Sequence, residues 1–189
     1  MRVSMRFGFL VVVSFAVAAV WAAEPAPAPA TASLPLLVGP SDAPAQAYDA
    51  GELRVIVPGS RTGNAFAVLE LKEMPGYLTP AHVHPSMDES FYVLEGVLEI
   101  NLAGSVHRVP AGSFVHIPRG TPHAQGPTAD GPVRMLTWLS PAGFEQFFSD
   151  RVALARTVRR GDPDFQPRMM EIVGRYGDWL QPAELPVAE

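Results

Sequence analysis

Cysteine is absent from the 189 residues. Disulfides and thiolate metal sites are thereby excluded, and any bound metal must be held by nitrogen and oxygen. Charge is also thin, at 17% of residues against 48% hydrophobic, which is ordinary for a globular chain. The net charge is −5 and no long basic run occurs, so nucleic acid and anionic membrane surfaces make poor partners. Histidine is scarce, with five in all, whereas proline and glycine are plentiful at 20 and 16. That abundance means many turns and short elements, which favours strands over a helical bundle.

A long apolar run is missing too. The longest, Phe7 to Trp21, falls short of the roughly 20 residues that cross a bilayer. Arg2 and Arg6 precede it, small residues follow it, and no acid occurs before Glu24. This is the layout of a secretory signal peptide with cleavage after Ala22 or Ala23. The expectation is export to a periplasm or beyond, with no stable membrane anchor after cleavage. Residues 1–22 are thus read as signal peptide and 23–49 as a Pro/Ala-rich linker of extended character. Residues 50–140 form the ordered β domain on this reading, and 141–189 a C-terminal helical extension.

Within the β domain, short alternating runs are set off by Gly and Pro. They fall at Leu53–Val57, Asn64–Leu71, Phe91–Leu94, Val97–Leu102, Val106–Val109, Ser113–Ile117 and Val133–Leu139. Such spacing indicates an all-β sandwich or barrel. After Ser140 the period changes. Ser140 is expected to cap a helix that starts at Pro141, with Phe144, Phe147, Phe148 and Val152 as its apolar stripe. A second stripe runs through Phe165, Met169, Ile172, Val173 and Tyr176. Both helices read as packing residues against the outside or an edge of the β domain.

The segment PGYLTPAHVHPSMDESFYVLEG carries the chemistry. His82 and His84 are separated by one residue, so on a strand both imidazoles face one side and can reach one metal. Glu89 opens the next strand after a short turn, which can return its carboxylate toward the two rings. A fourth ligand must come from a distant strand, and His107, His116 and His123 are the candidates. His107 and His116 lack ligand-like neighbours and read as ordinary strand histidines. His123 follows the turn Pro118-Arg119-Gly120.

The spacings in this region resemble those of the cupin superfamily. Gly76, His82, His84, Glu89 and Gly96 fit its first motif; Gly112, Pro118, Gly120 and His123 fit its second. The position four residues after His123 is often Asn in that family and is Pro127 here. The resemblance implies a jelly-roll β-barrel and a metal centre of His82, His84, Glu89 and His123. It implies one divalent transition metal, Fe, Mn, Ni, Co, Cu or Zn, among which donor chemistry does not choose. It also implies a homodimer. Within the superfamily the chain looks most like single-domain, quercetin-dioxygenase-like proteins.

The function expected from this is a metal-dependent dioxygenase acting on a small aromatic or enol-type molecule, with Glu89 as ligand and catalytic base. A non-oxidative isomerase or lyase, and a non-catalytic cupin binding a sugar or acid, are the alternatives. Phe91, Val93, Phe114, His116, Met135 and Trp138 are the expected pocket walls, although alternation alone leaves open which parity faces inward.

Overall fold

The computed structural model describes residues 34–186. The signal-peptide reading and the first part of the linker lie outside the described residues. In chain order the strands are β1 (Gln46–Tyr48), β2 (Gly51–Val57), β3 (Ala67–Glu73), β4 (Thr79–Val83), β5 (Asp88–Glu95), β6 (Val97–Leu102), β7 (Ser105–Pro110), β8 (Phe114–Ile117), β9 (His123–Pro127) and β10 (Val133–Ser140). Helices α1 (Glu145–Ala155) and α2 (Phe165–Arg175) follow, and then a two-residue strand, β11 (Gln181–Pro182).

The strands form two sheets, ordered β1-β2-β3-β10-β5-β8 and β11-β4-β9-β6-β7. Every pairing is antiparallel. Chain neighbours β4 and β5 lie in different sheets, as do β5 and β6, so the chain crosses repeatedly from one layer to the other. This is a double-sheet jelly roll. Among the described residues no strand of one sheet pairs with a strand of the other, so the expected barrel is a sandwich of two open layers.

Alternation builds the core between the layers. On β10, Val133, Met135, Thr137 and Leu139 are buried while Arg134, Leu136 and Trp138 between them are not. On β3, Ala67, Leu69 and Leu71 point inward, and so does Glu73 at the end of the same face. Each fully buried Leu, Met or Phe in this layer contributes about 1.5–3 kcal/mol.

Two differences from the sequence reading bear on the site. First, β1 lies within the segment read as linker, and Tyr48 and Ala50 belong to the core. Second, the helix begins later than expected. Ser140 completes β10 and donates its hydroxyl to the Ala65 carbonyl, so it is not a cap. Glu145, in the first turn of α1, instead accepts from the backbone N–H groups of Gly59 and Gly143. That contact pins the start of the helix to the loop after β2.

Gly96, in the turn between β5 and β6, has φ +77°, and a Cβ there would sit 2.2 Å from the Pro132 carbonyl oxygen. Gly96→Ala is expected to destabilise the protein by about 1–3 kcal/mol from backbone strain alone. The contact with Pro132 adds to that. Urea unfolding should show a lower midpoint at unchanged m-value, and a loss under about 0.5 kcal/mol would mean that the turn relaxes freely.

Candidate metal centre

Strand register assembles the cluster. His82 lies on β4 and pairs directly with His123, the first residue of β9. His84 stands one residue past the end of β4, on the same side as His82. Glu89, second in β5, comes from the opposite sheet. Gly120 sets the turn before β9: with φ +79° its N–H donates to the His84 carbonyl at 2.9 Å, which ties the two histidine segments together.

The four side chains meet. One ligand atom from each of His82, His84, Glu89 and His123 lies within 4.8 Å of the others, and all four residues are buried. His82 Nε2 and His84 Nε2 are 3.2 Å apart. Glu89 Oε2 is 3.2 Å from His123 Nε2 and 3.4 Å from His84 Nε2.

Each ring is oriented from behind. The Nδ1 atoms of His82, His84 and His123 lie 2.8, 2.6 and 2.9 Å from the carbonyl oxygens of Pro80, Trp179 and Thr121. A carbonyl only accepts, so each Nδ1 carries a proton and donates it. In the neutral rings every Nε2 is then left with a bare lone pair. Three such lone pairs and a carboxylate converge, two of them only 3.2 Å apart. Their mutual repulsion becomes coordination once a cation stands among them, and the nitrogen and oxygen donors suit a divalent transition metal. The cluster therefore fits a single metal ion.

The crowding also sets the acid–base character. Burial first, and then the imidazoles of His123 and His84, push His82 down to about 3. Burial works to raise Glu89, but the imidazoles of His123 and His84 outweigh it and hold the carboxyl well below the usual carboxylate range. His84 is raised in spite of its burial, by the Glu89 carboxylate beside it. Held ionised in this way, Glu89 is suited to be a ligand.

His82, His84 and Glu89 form part of the wall of a cavity of about 260 Å³, with His123 behind them and fully buried. The far wall is helical: Phe144, Phe147 and Phe148 around α1, and Phe165, Met169 and Val173 on α2. Phe144 and Phe147 stack with ring centres 4.8 Å apart, and Phe144 meets the His84 ring edge-on at 5.2 Å. The two helices do not merely pack on the outside of the β domain; they cover the mouth of the site.

Of the expected wall residues, Phe91 lines the cavity. Val93 and Met135 face inward but are fully buried in the core, away from the cavity wall. Phe114, His116 and Trp138 belong to the other parity and face outward. Phe114 is 60% exposed and packs edge-on against Trp138, while exposed His116 bonds Ser90. The parity is fixed by Ile117 on β8 and Leu139 on β10, which are the buried members of their strands.

Sequence patterning alone does not single out Glu73, Tyr77, Gln125 and Arg151, all on the cavity wall. Buried Arg151 donates to Asp49 through Nε at 2.8 Å and Nη2 at 2.9 Å, and through Nη2 to the Tyr77 hydroxyl at 2.8 Å. Tyr48 donates its hydroxyl to Glu73 Oε1 at 3.2 Å. Burial pushes Glu73 up to about 7, against the pull of Arg151 and of the Tyr48 hydroxyl. The position of Glu73 is a usable signal, because it extends the inward face of Ala67, Leu69 and Leu71 by one more step of two.

A double-sheet jelly roll with three imidazoles and one carboxylate at its mouth defines a class of metal-binding β proteins. Comparison with known proteins agrees: residues 70–139 match the family described as cupin domain. Quercetin 2,3-dioxygenase of Bacillus subtilis (strain 168) is 37% identical over 70 residues, covering 37% of this chain and 21% of that one. Polyketide synthase CurC of Streptomyces cyaneus is 33% identical over 92 residues, covering 48% of this chain and 60% of that one. The matches thus span less than two thirds of either relative. Among solved structures, KdgF from Halomonas sp. superposes with a TM-score of 0.53 at 16% identity, over 60% of this chain and 99% of that one, which shows the shared fold.

Proposed function

We propose that the protein is an exported, metal-dependent dioxygenase acting on a small aromatic or enol-type substrate. One observation carries this: the buried His82, His84, Glu89 and His123 cluster opens onto a cavity walled by phenylalanines. The likeness of its cupin segment to a quercetin 2,3-dioxygenase supports the same reading. When bound, the metal supplies Lewis acidity toward a substrate oxygen and, if redox-active, a route for O₂.

The chain's own residues do the rest. The Pro80, Trp179 and Thr121 carbonyls hold the three rings with Nε2 toward the centre. Phe144, Phe147, Phe148 and Phe165 exclude water and offer a flat apolar face to a ring. Glu89 Oε2, 3.4 Å from His84 Nε2 and 3.2 Å from His123 Nε2, would balance part of the positive charge of a metal held there. A second relative, named a polyketide synthase and not an oxygenase, supports a second reading, a non-oxidative reaction at the same centre.

Purified protein loaded with Fe(II), Mn(II), Ni(II), Co(II) or Cu(II) in turn should consume oxygen with members of a panel of enols and catechols. Product formation under strict anaerobiosis would replace the oxygenase reading with the non-oxidative one. Tight binding without product from either condition would sink both in favour of a binding protein.

A further inference from the structure

Two buried polar groups on the cavity wall have no partner. Glu73 Oε2 and Gln125 Oε1 make no hydrogen bond, and their residues are 2% and 6% exposed. Both residues line the same cavity as His82, His84 and Glu89. An unpaired buried acceptor costs about 1–3 kcal/mol. Both oxygens have less than 1 Å² of accessible surface, so a donor in the cavity meets them after a small shift of either side chain. Two such acceptors on residues of one wall point to a donor bound there. They reach the cavity from different layers. Glu73 ends the inward face of β3, and Gln125 is two residues beyond His123 on the inward face of β9. Glu73 is held in place by the Tyr48 hydroxyl on its other oxygen.

From this we infer that Glu73 and Gln125 are the specificity-determining pair of the cavity, accepting hydrogen bonds from a hydroxyl that the substrate carries in addition to its metal-facing oxygen. The donor is a neutral hydroxyl because that is the group a ring substrate of the enol or phenol type carries; the lining charges, Arg151 and Arg160 against Asp49, Glu73 and Glu89, do not select it. The body that bears it is a flat ring, since the facing wall is phenylalanine and about 260 Å³ admits only a small molecule. The inference rests on the proposed reading of this cavity as the substrate site. It adds that the substrate class is a ring with two well-separated oxygens, one of them a free hydroxyl.

The test is anaerobic titration calorimetry at pH 8 on the zinc-loaded full chain. The probes are resorcinol and hydroquinone, each set against its monomethyl ether. Capping one hydroxyl with methyl removes the donor and leaves the other oxygen for the metal. Wild-type protein is expected to bind the dihydroxy member about tenfold more tightly. In Glu73→Gln the amide oxygen keeps the Tyr48 proton and turns an NH₂ toward the cavity, so the preference should fall to about one. Gln125→Leu should reduce it in the same direction. Thermal melting checks each variant, and should Glu73→Gln fail to fold, Gln125→Leu alone decides. A wild-type protein with no preference, or one that binds neither probe, overturns the inference, as does a preference unchanged in the folded variants. Oxygen uptake separates the two ideas: absent uptake with the preference intact sinks the oxygenase and spares the pair, and uptake without the preference does the reverse.

Discussion

Replacing His82 with alanine is expected to lower metal affinity by at least about 100-fold, since loss of even an outer-shell partner of a metal ligand commonly costs 10–100-fold. The reason is local. His82 supplies one of three Nε2 lone pairs, and its ring is fixed by its own Nδ1 donation to Pro80. Without it, two imidazoles and Glu89 remain, and water must fill the gap. The fold should survive, because the ring serves the cluster and the hydrophobic core lies deeper, around Leu69, Phe91 and Met135. Elemental analysis after dialysis against a weak chelator should find near-stoichiometric metal in the wild type and little in the variant. A second readout is thermal. A ligand at 100 times its Kd stabilises a protein by about 2.7 kcal/mol, so added metal should raise the wild-type Tm and leave the variant near its metal-free value. His107→Ala is the control, since His107 is exposed on β7 and is not a member of the cluster. Unchanged occupancy in His82→Ala, or a loss in His107→Ala, would move the metal away from this cluster.

Much of this centre is legible in the amino-acid order alone, for a physical reason. A period of two places His82 and His84 on one side, and spacing to Glu89 and His123 carries across turns that Gly and Pro fix. Those are local rules, and the cluster obeys them. What local rules do not carry is the choice of face. Phe114, His116 and Trp138 alternate as regularly as the residues that do face inward, and only the packing of one sheet on the other breaks the tie. The cavity wall is hidden for a related reason. Phe147, Phe148 and Phe165 look like core because they are core on one side; their second role exists only where α1 and α2 cross the mouth between the sheets. The short strands β1, β9 and β11 escape a pattern-based reading because their sequences QAY, HAQGP and QP carry almost no strand preference of their own. They are strands because a neighbour offers a ladder.

Arg151→Met is expected to cost about 3–5 kcal/mol, a large share of the 5–15 kcal/mol that typically holds a domain together. Arg151 and Asp49 are each only 6% exposed at the side chain, so removing the guanidinium strands a carboxylate among apolar neighbours. The guanidinium also stands 4.8 to 5.6 Å from the rings of Tyr48, Tyr77, Phe147 and Phe148, which lose that contact together. Breaking such a pair is costly mainly because of the partner left behind, so the double change Arg151→Met with Asp49→Asn should recover much of the loss. A double-mutant cycle by urea unfolding measures this, and a cost under about 1 kcal/mol for the single change would mean that water reaches Asp49. The consequence for the site follows from position. Asp49 sits between β1 and β2, Arg151 is on α1, and Tyr77 precedes β4, so this one guanidinium ties the cavity's helical wall to both sheets. Loosening it should weaken ring binding against Phe147 and Phe148 while leaving the metal cluster intact, because no Arg151 hydrogen bond reaches His82, His84, Glu89 or His123. Metal content held at the wild-type level with ligand affinity reduced is therefore the signature of a wall residue, distinct from the ligand loss expected of His82→Ala.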